Sequence, residues 1–136
     1  MAKAKHVLVI NDSEEMLHLF EEILHSEAGY RVTIGSFTLS MIEWIKEVNP
    51  DLVITDLLHG QEQVGWQLVD KLKMDRDTAN IPIIVCTGAA EDVKNRERVF
   101  AEMNIGVVLK PFDIDELLRV VETKLEESEG REVSFR

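Results

Sequence analysis

The chain has 136 residues, of which 45% are hydrophobic and 30% are charged, as is typical of one globular domain that buries a core without disulfides. Its formal net charge of −11 disfavours direct binding to nucleic acid, because such binding depends on Lys and Arg side chains that neutralise phosphates. The short apolar run at residues 7–10 predicts neither a signal peptide nor a membrane span, and the single cysteine, Cys86, fits the reducing cytoplasm where we expect the protein to remain.

Five short apolar runs along the chain predict buried strands, at residues 7–10, 32–34, 52–55, 83–86 and 107–109. Segments with helical spacing separate them. Ser13 is expected to cap the first helix, ahead of Glu14 and Glu15. Less regular helices are predicted at about 38–48, 65–74 and 93–103, and Asp113 with Glu116 resembles a capping box that opens the last one.

This alternation of strands and helices predicts an α/β domain of the (βα)5 type, with a doubly wound parallel sheet that is covered by helices on both faces. We expect residues 1–136 to form a single domain with its core at about 6–125. Residues 126–136 are polar and are expected to fray.

Polar or small residues follow four of the predicted strands. They are Asn11 and Asp12 after the first, Asp56 after the third, Thr87 and Gly88 after the fourth, and Lys110 after the fifth. Ligands of doubly wound folds bind beyond the carboxyl ends of the strands. We therefore expect these side chains to converge at one edge of the sheet.

The chemistry of these residue types points to phosphoryl transfer. Asp12 and Asp56 suit Mg²⁺ or Mn²⁺, which prefer oxygen ligands. A carboxylate can attack phosphorus to give an aspartyl phosphate, while a metal ion and a nearby cation such as Lys110 neutralise the transferring group. Thr87 offers a hydroxyl donor to a phosphoryl oxygen.

Four segments carry a resemblance to a known family: VLVINDSEE, PDLVITDLLHG, IPIIVCTGA and VVLKPFDIDEL. Together they resemble the receiver domain of response regulators, in the chemotaxis-regulator-like superfamily, over residues 6–125. The resemblance implies a flavodoxin-like sheet with strand order 2-1-3-4-5. It also implies a cis peptide bond between Lys110 and Pro111.

The resemblance further implies a signalling role in a two-component phosphorelay. Asp56 would accept a phosphoryl group from a histidine kinase or histidine phosphotransfer protein, and the domain would then switch its contacts with an unknown downstream protein. Asp12, Asp56 and the backbone carbonyl of Leu58 would hold the metal ion, and Thr87 and Lys110 would hold the phosphoryl group. Apart from its own phosphorylation and dephosphorylation, the protein would not be an enzyme.

The chain departs from the family pattern at three places. Asn11 replaces an acid, so it would bind the metal weakly or through a water molecule. Gly60 stands where the family has proline, and Gly65 comes nine residues after Asp56 rather than eight, which predicts a one-residue insertion. Val107 replaces the aromatic residue whose ring moves with the threonine in the family.

Other interpretations stay open at this point. Asn11 and Asp12 are also typical helix caps. These departures allow a degenerate receiver that binds partners without phosphorylation. An α/β enzyme that binds a nucleotide or hydrolyses a phosphoester is a weaker alternative, since the turn after the first strand has no glycine. We interpret Trp44 and Trp66 as packing residues and His59 as an exposed loop residue.

Overall fold

The computed structural model describes residues 4–38, 41–57, 64–88 and 90–134. Their strands form a parallel five-stranded sheet in the order β2-β1-β3-β4-β5, which confirms the predicted fold. The strands are β1 (His6–Ile10), β2 (Arg31–Gly35), β3 (Leu52–Thr55), β4 (Ile83–Thr87) and β5 (Gly106–Leu109). Each contains one of the predicted apolar runs.

Helices connect the strands. They are α1 (Glu14–Glu22), which continues as a π-helical turn (Ile23–Glu27), α2 (Met41–Val48), α3 (Val64–Met74), α4 (Ala90–Asn95), α5 (Glu97–Glu102) and α6 (Ile114–Ser134). Ser13 caps α1 as predicted, because its hydroxyl accepts a hydrogen bond of 3.3 Å from the backbone N–H of Met16.

Two elements differ from the sequence-based expectation. The single helix predicted at 93–103 is divided into α4 and α5 at Arg96, whose φ of −116° and ψ of 12° are not helical. Helix α6 continues to Ser134, although residues from 126 onward were expected to fray. Four of the nine residues from 126 to 134 are Glu and one is Arg, and both residue types have good intrinsic helix propensity, which favours the helical form.

The sheet separates two hydrophobic layers, because alternate side chains of a strand point to opposite faces. Val7 and Val9 of β1 pack in the layer under α1 and α6, together with residues such as Leu117. Leu8 and Ile10 point into the other layer, under α2, α3 and α5. Burial on both faces explains why the strands read as continuous apolar runs. Within the described part of the chain, no helix combines the length and the apolar character needed to cross a membrane.

Candidate functional site

The strand register brings the predicted site residues to one edge of the sheet. Ile10 of β1 pairs with Thr55 of β3, so Asn11 and Asp56 leave neighbouring strands at the same level. On the other side, the backbone N–H of Lys110 donates a 2.9 Å hydrogen bond to the carbonyl of Thr87, which ties the ends of β4 and β5 together. This edge is the carboxyl end of the parallel sheet, where ligands of such folds bind.

Asp56 and Lys110 form an ion pair at this edge. The Lys110 ammonium lies 2.9 Å from Oδ2 of Asp56, and the two side chains are 25% and 18% exposed, respectively. Oδ1 of Asp56 accepts a 2.7 Å hydrogen bond from the backbone N–H of Leu57. The backbone N–H of Leu57 and the Lys110 ammonium thus help to orient the carboxylate, which is partly exposed to solvent.

Asn11 shapes the turn between β1 and α1. Its side chain is 7% exposed, and its Oδ1 accepts a 2.9 Å hydrogen bond from the backbone N–H of Ser13. The backbone N–H of Asn11 donates to the carbonyl of Gly35 at 3.0 Å. Asp12, by contrast, is exposed. Since Ser13 provides the helix cap, the structure does not support the alternative that Asn11 or Asp12 is the cap of α1.

Thr87 and Gly88 lie at the end of β4. Thr87 is buried, with 1% of its surface exposed. Among the described residues, leaving out its chain neighbours, none has an atom within 4 Å of a Cβ atom built on Gly88. The structure therefore places a small residue beside the predicted phosphoryl-binding threonine.

Gly65 is a site residue whose role the sequence did not reveal. A Cβ atom at this position would lie 1.7 Å from the carbonyl oxygen of Asp56 and 2.8 Å from Cα of Leu57. The backbone N–H groups of Gly65 and Trp66 both donate to the carbonyl of Leu57, at 3.1 and 3.2 Å. Only glycine allows α3 to begin this close to the backbone of Asp56. The one available signal was a glycine nine residues after Asp56.

Cys86 lies in the core just below the site. Burial raises the pKa of its thiol from an ordinary 9.0 to about 12, and the charges of Asp56 and Glu116 add to this effect while that of Lys110 opposes it. The thiol is therefore protonated at neutral pH and is a packing group, not a nucleophile.

The donor set suits a divalent metal ion held with few protein ligands. Among the described residues, no three His, Cys, Asp or Glu side chains converge on one point. Asp12 and Asp56 are the carboxylates that follow β1 and β3, and magnesium is commonly held by one or two carboxylates together with water and phosphate oxygens. Leu58, His59 and Gly60, and with them the predicted carbonyl ligand and inserted residue, lie outside the described residues.

The comparison with protein families decides the identity of the fold. The model of the response regulator receiver domain matches residues 7–122. The chain belongs to this family. The receiver domain also has the cis peptide bond between Lys110 and Pro111 that the resemblance implied.

Relatives place the receiver in two-component signalling. The chain is 32% identical over 109 residues to chemotaxis protein CheY of Halobacterium salinarum, which covers 80% of the chain and 87% of the relative. It is also 32% identical over 117 residues to hybrid signal transduction histidine kinase D of Dictyostelium discoideum, covering 85% of the chain but only 7% of the kinase. The chain thus matches most of the length of the CheY relative but only a small part of the length of the hybrid kinase.

Solved structures confirm the fold. The receiver domain of sensor histidine kinase PA1611 from Pseudomonas aeruginosa superposes with a TM-score of 0.76 at 22% identity, covering 91% of this chain and 99% of that one. That structure has a magnesium ion coordinated in its active-site cleft.

Proposed function

We propose that this receiver accepts a phosphoryl group on Asp56 and uses the modification to switch its contacts with other proteins. The observation that carries the proposal is the 2.9 Å ion pair between Lys110 and Asp56 at the carboxyl edge of the sheet. A partly exposed carboxylate held against a cation is suited to a nucleophile whose product gains negative charge.

The phosphoryl donor is a phosphohistidine of a kinase or phosphotransfer protein. An oxygen of Asp56 attacks the phosphorus and forms the O–P bond, the N–P bond breaks, and the histidine nitrogen leaves with the electron pair and takes up a proton. Lys110 then pairs with a phosphoryl oxygen, and the Thr87 hydroxyl donates to another. The protein acts as an acceptor and a switch, and catalyses no reaction other than its own modification and its reversal.

Magnesium or manganese is the proposed cofactor, held by Asp12, Asp56 and the carbonyl of Leu58. When bound, the ion neutralises charge on the transferring phosphoryl group. The two carboxylates at this edge and the magnesium in the Pseudomonas aeruginosa receiver support the assignment. Asn11, whose amide oxygen already accepts from Ser13, contributes no charge to the ion and at most contacts it weakly or through water.

Phosphorylation with a small donor tests the proposal. The protein is incubated with acetyl phosphate and Mg²⁺, and its intact mass is expected to rise by one phosphoryl group. Asp56→Asn should abolish the gain, whereas Asp115→Asn, the same change on an exposed position of α6, should leave it unchanged. Chelation of the metal should also prevent labelling. A wild-type protein that gains no mass would instead support the degenerate receiver, which binds partners without phosphorylation.

A further inference from the structure

Three side chains next to the site form a cluster that the proposed chemistry does not use. The rings of Trp66 and Phe100 meet edge to face, with centroids 5.4 Å apart and planes at 80°. Cζ of Arg96 lies 4.3 Å from the centroid of the Trp66 ring, a cation–π contact. Phe100 is buried, and Trp66 and Arg96 are half-buried. We define these three residues as the coupling cluster.

One end of the coupling cluster is fixed to the phosphoacceptor strand. The backbone N–H of Trp66 donates to the carbonyl of Leu57, the residue that follows Asp56. Gly65 packs so closely on the Asp56 carbonyl that a single added carbon would overlap it. Because there is no free space at this contact, a shift of the backbone at Asp56 displaces the start of α3 and with it the Trp66 ring.

The other end lies at the joint between α4 and α5. Arg96 has a non-helical ψ of 12° and separates the two helices. Its N–H donates to the carbonyl of Val93 in α4 at 3.1 Å, and its carbonyl accepts from the N–H of Phe100 in α5 at 3.0 Å. A movement of the indole against Arg96 and Phe100 therefore acts on both helices at the point where they can bend relative to each other.

Position 107 of β5, where the family has an aromatic residue, does not connect the site to α4 and α5 through a ring in this chain, because it is Val107. Val107 is half-buried and lines a groove of about 410 Å³ together with Val93 of α4 and Phe100 of α5. Its short aliphatic side chain brings no ring to this groove, whereas the ring of Trp66 contacts both Phe100 of α5 and Arg96, the residue before α5.

We propose that the coupling cluster of Trp66, Arg96 and Phe100 transmits the phosphorylation state of Asp56 to helices α4 and α5. The inference rests on the proposed function, since it needs a phosphoryl group on Asp56. It assigns the conformational readout to Trp66 in place of an aromatic residue at position 107. Coupling between two sites is reciprocal, so a change in the cluster must also alter the phosphorylation equilibrium.

The experiment uses the intrinsic fluorescence of the two tryptophans. Trp44→Phe leaves Trp66 as the only tryptophan, and Trp66→Phe leaves Trp44 on α2. Both proteins are treated with acetyl phosphate and Mg²⁺, while intact mass is measured in parallel. The emission of Trp66 should change in proportion to the mass gain, and that of Trp44 should not. In a Trp44→Phe background, Asp56→Asn should remove the change.

Arginine variants test the connection to α4 and α5. Arg96→Ala should alter the phosphorylated fraction at a fixed donor concentration by about two- to fivefold, the equilibrium equivalent of one cation–π contact. It should also diminish the emission change of Trp66, while Arg96→Lys should restore part of both. The matched control is Arg98→Ala, since Arg98 is 92% exposed and pairs with Glu102 on the same helix; it should behave like wild type.

The two proposals fail in different ways. A protein that gains no mass overturns the proposed function and the coupling with it. Mass gain on Asp56 without a change in Trp66 emission overturns the coupling alone. The same conclusion follows if Arg96→Ala and Arg98→Ala have equal phosphorylated fractions and equal emission changes.

Discussion

The side chain of Lys110 contacts the predicted phosphoacceptor, Asp56, directly. We expect Lys110→Ala to lower the phosphorylated fraction by about one to two decades, because a hydrogen bond to a charged group contributes roughly 1.5–3 kcal/mol. Lys94→Ala is the control, since Lys94 is exposed in the last turn of α4. Intact-mass measurement over a series of acetyl phosphate concentrations gives both fractions. Equal fractions in the two variants would contradict the role of Lys110.

Asn11 decides how much negative charge surrounds the metal ion. Asn11→Asp keeps an oxygen that can accept from the Ser13 N–H and adds one negative charge. At an effective dielectric constant of about 20 and a separation of about 4 Å, such a charge attracts a unit positive charge by roughly 4 kcal/mol before desolvation is subtracted. We therefore expect tighter Mg²⁺ binding by calorimetric titration. Asn11→Ala, which removes the turn hydrogen bond without adding charge, should not tighten it, and unchanged affinity in Asn11→Asp would place residue 11 away from the metal.

Cys86 should make the domain less stable at alkaline pH. Burial raises the pKa of the Cys86 thiol to about 12 in the folded protein, whereas its ordinary pKa is 9.0. Above pH 9.0 the folded state therefore keeps a proton that the unfolded chain loses. The contribution of the protonated thiol to the free energy of unfolding is therefore complete below pH 9.0, and it is lost as the pH rises toward about 12. Between about pH 8 and about pH 10 the contribution should fall by roughly 1.4 kcal/mol. Urea unfolding of wild type and Cys86→Ala at both pH values measures it, and equal pH dependence in the two proteins would refute it.

At the scale of elements, the start of α3 is held against β3 by Gly65. We expect Gly65→Ala to destabilise the fold by about 1–3 kcal/mol, because the added methyl group would overlap the Asp56 carbonyl and force α3 away from it. Gly88→Ala is the matched control, since a Cβ there meets no atom of the described residues within 4 Å. Urea midpoints give the comparison. If Gly65→Ala unfolds at the wild-type midpoint, the close contact between α3 and β3 is not required.

The elements that the sequence predicted well are those with a clear physical signal. Strands buried on both faces show as apolar runs, and each predicted run lies inside an observed strand. The division of the fourth helix at Arg96 was not predicted, because a non-helical ψ at an ordinary residue leaves no mark in the hydrophobic pattern. The helical form of residues 126–134 was not predicted, because this polar segment has no apolar stripe at helical spacing.

The candidate site could be predicted in part for a similar reason. The position of a residue after a strand places it at the sheet edge, so the proximity of Lys110 and Asp56 followed from the sequence. The contacts of Gly65 and Trp66 did not, since they depend on how closely one helix approaches a backbone carbonyl. Such tertiary distances are set by packing of the whole layer and not by local pattern.

At the scale of the whole molecule, α6 closes one of the two core layers. Val121 and Leu125 are 0% and 6% exposed in that layer, and they contribute the last buried side chains of the described core. Lys124 connects the same turn to the segment between α5 and β5, because its ammonium donates to Oδ1 of Asn104 at 3.1 Å. Within α6, Lys124 also pairs with Glu127 at 3.2 Å. The energetic boundary of the domain should therefore lie close to Leu125.

Two shortened chains locate that boundary. A chain that stops after Glu127 keeps Leu125 and the Lys124 contacts, so its free energy of unfolding should stay within about 0.5 kcal/mol of the full chain. A chain that stops after Lys124 loses Leu125, whose burial contributes about 1.5–3 kcal/mol, and the partly exposed pair with Glu127, which adds at most about 1 kcal/mol. Urea unfolding with comparison of the slopes measures both changes.

A point variant separates the lost core contact from the shortened helix. Leu125→Ala in the full chain should cost about 2–5 kcal/mol, because it removes the buried side chain while the backbone of α6 is retained. If the chain that stops after Glu127 is destabilised as much as the one that stops after Lys124, residues beyond 127 belong to the cooperative unit. The core would then not end at Leu125, and the polar extension of α6 would contribute to folding.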